Sequence, residues 1–140
     1  MAFSQYFAEK ILGFIKAQPF PTALTNVYIT LHTADPGIAG TNGDATASIT
    51  GSVNRTTLAT TNLGAITGAS PSGFEIKNTI VVQITTSAVN TVTTTITHFG
   101  IWDDVTGGDF IASGTLTSSV DIALGDTVQF NIGAMAIKVV

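Results

Sequence analysis

VYITLH, residues 27–32, puts Val27, Ile29 and Leu31 on one side of an extended chain and Tyr28, Thr30 and His32 on the other. Successive side chains of a strand point to opposite faces, so this alternation of β-branched and aromatic residues predicts a strand with one face in a core. The same signature recurs downstream and predicts strands over 55–61, 73–77, 80–86, 92–102, 109–116, 127–132 and 134–139. Turn signals separate them at 62–64, 71–73, 107–108 and 125–126. About eight short strands at near-regular spacing predict an all-β fold, an antiparallel β-sandwich of jelly-roll type in preference to an up-and-down barrel.

Upstream of the first strand the period changes. Phe3, Phe7, Ile11, Phe14 and Ile15 recur at three- and four-residue spacing, which predicts an amphipathic helix over 3–18. Ser4 is placed to cap its N-terminus, and Pro19 and Pro21 to stop it. Isolated helices of about 14 residues are marginal in water, so the aromatic face must dock, either on the chain's own sheet or on a neighbouring subunit. The chain thus divides into an N-terminal docking helix, residues 1–20, and a sandwich domain, residues 21–140. Within the domain, residues 33–54 (TADPGIAGTNGDATASITGSVN) form one long irregular segment. Loops of that length are usually functional or disordered, so the segment reads as a contact-making loop or as a crossover between sheets. The apolar residues of helix and loop, Phe3, Phe7, Ile11, Phe14, Ile38 and Ile49, are the candidate interface.

At 140 residues the chain is the size of one domain and can bury about two-thirds of its unfolded surface. The absence of cysteine excludes disulfide frameworks, thiolate metal sites and cysteine nucleophiles. Charged residues make up only 10% of the chain against about 25% in an average soluble domain, while 44% are apolar and the mean hydropathy is +0.42. Disorder is not expected from so apolar a composition. Five scattered basic residues in a chain of net charge −4 give no footprint for nucleic acid. No apolar run is long enough to span a bilayer, and no small-residue cleavage site follows Phe20, so the chain reads as soluble and unprocessed. About two dozen threonines keep a β surface polar without charge. The segment TIVVQITT, residues 79–86, is uncharged and β-prone, and as an open edge it would invite pairing with another chain.

Chemical sites are few. Two histidines cannot supply a zinc triad without carboxylates, and His32 with Asp35, or His98 near Asp103 and Asp104, reads better as a satisfied strand histidine. Asp103, Asp104 and Asp109 around Gly107-Gly108 could hold calcium through oxygen or simply be turn residues. Glu75 with Asp121 is the only carboxylate pair that can be imagined for hydrolysis, and no spacing supports it. No nucleophile elbow, phosphate loop or dinucleotide fingerprint is present, so neither an enzyme nor a cofactor is expected. Asn54-Arg55-Thr56 is formally a glycosylation sequon. Trp102 reads as a core residue with its ring N–H satisfied, against the alternative of a sugar-stacking platform with Tyr28 nearby.

Four phrases, Leu31-His32-Thr33-Ala34-Asp35-Pro36-Gly37, Phe99-Gly100-Ile101-Trp102-Asp103, Thr106-Gly107-Gly108 and Gly125-Asp126-Thr127-Val128-Gln129-Phe130 with Gly133, stand in order behind the helix. In that register the chain resembles a family of small virion proteins of tailed bacteriophages, often labelled tail fibre proteins and similar to capsid cement or decoration proteins. Members often carry a glutamate and a Tyr-x-Arg element after the long loop; here Val53-Asn54-Arg55 keeps the arginine alone. The resemblance implies a non-enzymatic virion protein, assembled in the host bacterial cytoplasm, with no catalytic residues. The expectation is a capsid cement protein bridging major capsid subunits, with a tail or tail-fibre component, with or without glycan binding, as the alternative. Its partners would be the major capsid protein or tail proteins, and copies of itself; a three-fold capsid position would call for a trimer. Neither nucleic acid nor membrane is expected as a partner.

Overall fold

The computed structural model describes residues 4–69, 71–87, 93–123 and 125–139. In chain order the elements are α1 (Gln5–Ile15), β1 (Asn26–His32), α2 (Thr46–Thr50), β2 (Thr56–Ala59), β3 (Thr67–Ala69), β4 (Gly73–Lys77), β5 (Val82–Thr85), β6 (Thr94–Trp102), β7 (Phe110–Ile122), β8 (Thr127–Phe130) and β9 (Ala136–Val139), with a short 3-10 turn at Thr60–Asn62. The strands form an antiparallel sandwich. A four-stranded sheet runs β2-β1-β6-β7, a three-stranded sheet runs β3-β4-β9, and β5 pairs with β8.

The alternation at 27–32 sets the architecture. Val27, Ile29 and Leu31 turn inward and meet Leu58, Phe99, Ile101, Ala112 and Leu116 from neighbouring strands of the same sheet. Val82, Ile84, Val128 and Phe130 from β5 and β8 complete the same core, together with Met135. The hazardous segment 79–86 is thereby paired on one side with β8, through Val82 opposite Phe130 and Ile84 opposite Val128.

Four expectations need adjusting. Among the described residues nine strands are present where about eight were expected: β3 is short, wholly exposed and reads Thr-Gly-Ala, so it carries no alternation to detect. The 109–116 strand runs on to Ile122, because its register against β6 breaks between Ile96 and His98 and then resumes at Thr94–Ile96. The helix ends at Ile15, ahead of both prolines: Ala17 adopts φ +61 and Gln18 N–H bonds to Gly13 O at 2.9 Å, a left-handed C-terminal closure. The segment 33–54 is not irregular throughout, since it contains α2, closed by Gly51 at φ +69.

Candidate interaction surfaces

The four-stranded sheet has a second, outward face, and segment 33–45 lies across it. Strand pairing puts Tyr28 opposite Trp102, Thr30 opposite Gly100 and His32 opposite His98, all on that face. His32 has no exposed surface. Its Nδ1 lies 2.7 Å from the Asn42 carbonyl and its Nε2 2.7 Å from Thr30 Oγ1. A carbonyl can only accept, so Nδ1 donates, and Nε2 of the neutral ring accepts the Thr30 hydroxyl proton. Thr30 Oγ1 also accepts Trp102 Nε1–H at 3.1 Å. Burial holds the His32 pKa below its ordinary 6.5, against the Asn42 carbonyl, Asp44 and Asp35, which favour the charged form. Both ring nitrogens are therefore engaged within the fold, as the satisfied-histidine reading requires.

Trp102 is enclosed on this face as well. Its ring packs against Phe110 with centroids 5.3 Å apart, and the Arg55 guanidinium lies 3.8 Å from its centroid. Arg55 Nη1 then donates to the carbonyls of Asp104 (2.8 Å) and Gly107 (2.6 Å), fastening the 103–109 turn over the ring. The carboxylates of that turn serve its backbone: Asp103 Oδ1 accepts Asp109 N–H at 2.6 Å. Gly108, at φ +67, sits where a Cβ would collide with Asp103 Oδ1. Trp102 is thus a covered ring with a satisfied N–H, and the geometry leaves no open stacking platform. Glu75 and Asp121 serve separate places. Glu75 pairs with Lys77 at 2.7 Å and Lys138 at 3.4 Å, whereas Asp121 accepts from Thr95 Oγ1 at 2.6 Å. His98 Nδ1 pairs with Thr97 Oγ1 at 2.8 Å.

The candidate interface residues divide. Phe3 lies outside the described residues. The start of α1 is anchored: Ser4 is buried and accepts Phe7 N–H at 3.1 Å, and Gln5 N–H bonds to Ile38 O at 3.1 Å. Tyr6 lies with Ile38, Trp102 and Phe110 around a small hollow, where burial, then the charges of Asp109 and Asp103, raise its pKa. Glu9 lines the same hollow, no residue of α1 is fully buried, and the far end of the helix is exposed. Leu12, Phe14 and Ile15 are 62%, 63% and 73% exposed. Phe7 and Phe14 each meet Phe20 edge to face at 5.9 Å, while Ile11 is half-buried. Of the two expected docking places, its own sheet or a neighbour, the helix is thus held on its own domain at its start, while Leu12, Phe14 and Ile15 stay exposed. Ile38 is 60% exposed. Ile49 is not at the surface: it has no exposed area and sits on α2 within the core, because Asp44 Oδ1 accepts Thr46 N–H and Thr46 Oγ1 accepts Leu31 N–H, both at 2.9 Å. A groove of about 710 Å³ lies beside segment 33–45, lined by Asp35, Asn42, His98 and Thr115 on one side and by Glu75, Lys77 and Lys138 on the other.

The described residues thus form an antiparallel sandwich with an apolar helix end exposed beside it. The family model described as Podophage GP4 fiber I protein gp80 matches residues 2–138. The chain belongs to this gp80 fiber I family. Among curated proteins, none matches it. Membership makes the chain a bacteriophage structural protein and a component of the virion. No helix among the described residues is long and apolar enough to cross a membrane. Arg55 is a residue that sequence reasoning left without a task; its position after the long loop was visible, but its reach to Asp104 and Gly107, some fifty residues downstream, was not.

Proposed function

We propose that the chain is a non-enzymatic component of the podophage tail-fibre apparatus, attached to neighbouring tail proteins and to copies of itself through its outlying helix. The observation that carries this reading is the match to a fibre protein family over residues 2–138, nearly the whole chain. That description favours the fibre over the capsid-cement role. The exposed run Leu12, Phe14, Ile15 and Phe20 supports attachment through the helix, since clustered exposed apolar side chains mark interfaces. Attachment then stabilises the assembled particle by mass action, because the helix surface is buried only there.

Locating the chain in intact particles by cryo-electron microscopy tests the reading. A small fixed set of copies at the tail vertex is the expected result, and many copies spread over the shell would overturn it in favour of cement. Deleting residues 1–20 is expected to abolish incorporation while the β-sheet circular dichroism persists. Normal incorporation of the truncated chain would remove the helix from the proposal.

A further inference from the structure

We propose that the outer edge of β5 is a self-association site: β5 of a second copy pairs antiparallel with it about a two-fold axis at Gln83, joining two β8-β5 ribbons into one sheet. Among the described residues β5 pairs only with β8. Thr86 N–H continues that ladder to Asp126 O at 3.3 Å. Along an antiparallel pair the backbone groups of successive residues point alternately to the two sides. Those of Val82, Ile84 and Thr86 therefore face β8, and those of Val81, Gln83 and Thr85 face away from it.

This outer edge is bounded at both ends, and the bounds fix its centre. Thr79 N–H bonds to Asn62 O at 2.8 Å, and Ser87 N–H bonds to Ile49 O at 2.7 Å. Both residues have the parity of 81, 83 and 85, so the edge is occupied at 79 and 87 and open between them. Gln83 stands midway. Antiparallel pairing of two identical strands about that residue sets Gln83 against Gln83 of the second copy, and Val81 against its Thr85. Adjacent strands cross at about 20–25°, so outside 81–85 each strand turns away from the elements that flank the other.

The chemistry of the edge fits a copy of itself. Residues 79–86 carry no charge and no proline, the two devices that usually keep identical edges apart. No like charges then stand opposite across the axis. Val82 and Ile84 are buried while Val81, Gln83 and Thr85 are exposed, and the symmetric register keeps each set facing its own kind. Gln83 Nε2 already donates to Gln129 Oε1 at 3.2 Å across the ribbon. Pairing extends this to a ladder of four side-chain amides, two from each copy. Ile80 and Val81, 41% and 40% exposed, lose contact with water in the same step. The contact is separate from the exposed end of α1 and does not rest on the fibre role.

Sedimentation equilibrium of the full chain over a concentration series tests the pairing, with far-ultraviolet circular dichroism to check the fold. The unsubstituted chain should pass from monomer to dimer. Gln83→Lys and Gln83→Glu each set like charges against one another on the axis, and each should raise the dissociation constant by about tenfold or more. Mixed in equal amounts, the two variants should dimerise again, because residue 83 faces only its own counterpart. Leu12→Asp, at the exposed end of α1, should leave the dimer unchanged. Should the Gln83 variants fail to fold, amide exchange of the unsubstituted chain decides: Gln83 and Thr85 must gain protection as concentration rises, while Ile84, bonded to β8, must not change. A chain that stays monomeric, single variants that still dimerise, or a mixture that stays apart would each overturn the pairing. So would a dimer lost in Leu12→Asp, which would return self-association to the helix and leave the fibre reading standing.

Discussion

Replacing Thr30 with valine removes one oxygen from the interior and nothing else of consequence to shape. Thr30 is buried, and its Oγ1 both accepts Trp102 Nε1–H at 3.1 Å and donates to His32 Nε2 at 2.7 Å. Valine fills the same volume, so no cavity forms; what is lost is the partner of two buried polar groups. Each orphaned group costs about 1–3 kcal/mol, which puts Thr30→Val at about 2–6 kcal/mol, a large part of a typical domain stability of about 5–15 kcal/mol. Thr30→Ser keeps the hydroxyl and drops one methyl, for which about 1 kcal/mol is expected. The assay is urea unfolding followed by far-ultraviolet circular dichroism, because Trp102 emission responds to the substitution itself. Thr117→Val, at an exposed position of β7, is the control and should stay within about 0.5 kcal/mol. A Thr30→Val loss below about 1 kcal/mol, or a Thr30→Ser loss as large, would refute the claim that the hydroxyl organises this face.

Three further outcomes are expected. Ile49→Ala should cost about 2–5 kcal/mol in the same unfolding assay, the range for truncating a buried aliphatic side chain; a loss near zero would return Ile49 to the surface. Ala17→Gly should stabilise α1 by about 1 kcal/mol, seen as slower exchange of the Lys16 and Gln18 amides, because a left-handed alanine is replaced by the residue that adopts φ +61 freely. Arg55→Ala should cost about 1–2 kcal/mol and open Trp102 to acrylamide quenching, since the guanidinium both covers the ring and holds the 103–109 turn; unchanged quenching would show that the turn covers the ring unaided.

The sandwich was legible because β1, β5 and β8 alternate apolar with polar or aromatic residues, and a buried face leaves that mark in any sequence. Ser4 as a cap was legible for a local reason too: one side chain meets one backbone amide three residues on. Ile49 was misjudged because the segment around it is rich in turn residues, which hides a five-residue helix. The frame was nevertheless present, with Asp44 ahead of Thr46 and Gly51 behind Thr50. The outer face of the sheet could be read only in part: alternation placed Tyr28, Thr30 and His32 on it and a satisfied Trp102 N–H was expected, but not the network that joins them. His32, Trp102 and Arg55 are ordinary strand and loop residues in sequence, and what makes them a unit is pairing between strands seventy positions apart.

That outer face also explains how a chain with so few charges keeps an ordered surface. Where most domains would spread lysine and glutamate, this one closes Thr30, His32 and Trp102 beneath Arg55 and its own loops, and its exposed apolar side chains include two local groups. One is the end of α1, with Leu12, Phe14 and Ile15; the other is the three-stranded sheet, where Phe74 and Val139 stand opposite each other and remain about half exposed, with Ile66 exposed two residues before Gly68, the residue paired with Phe74. At the three-stranded sheet the charge of Glu75 is engaged by Lys77 and Lys138. Exposed apolar side chains that cluster, as at the end of α1 and on the three-stranded sheet, mark candidate contact surfaces more strongly than the single ones at Ile38, Val53 and Ile132.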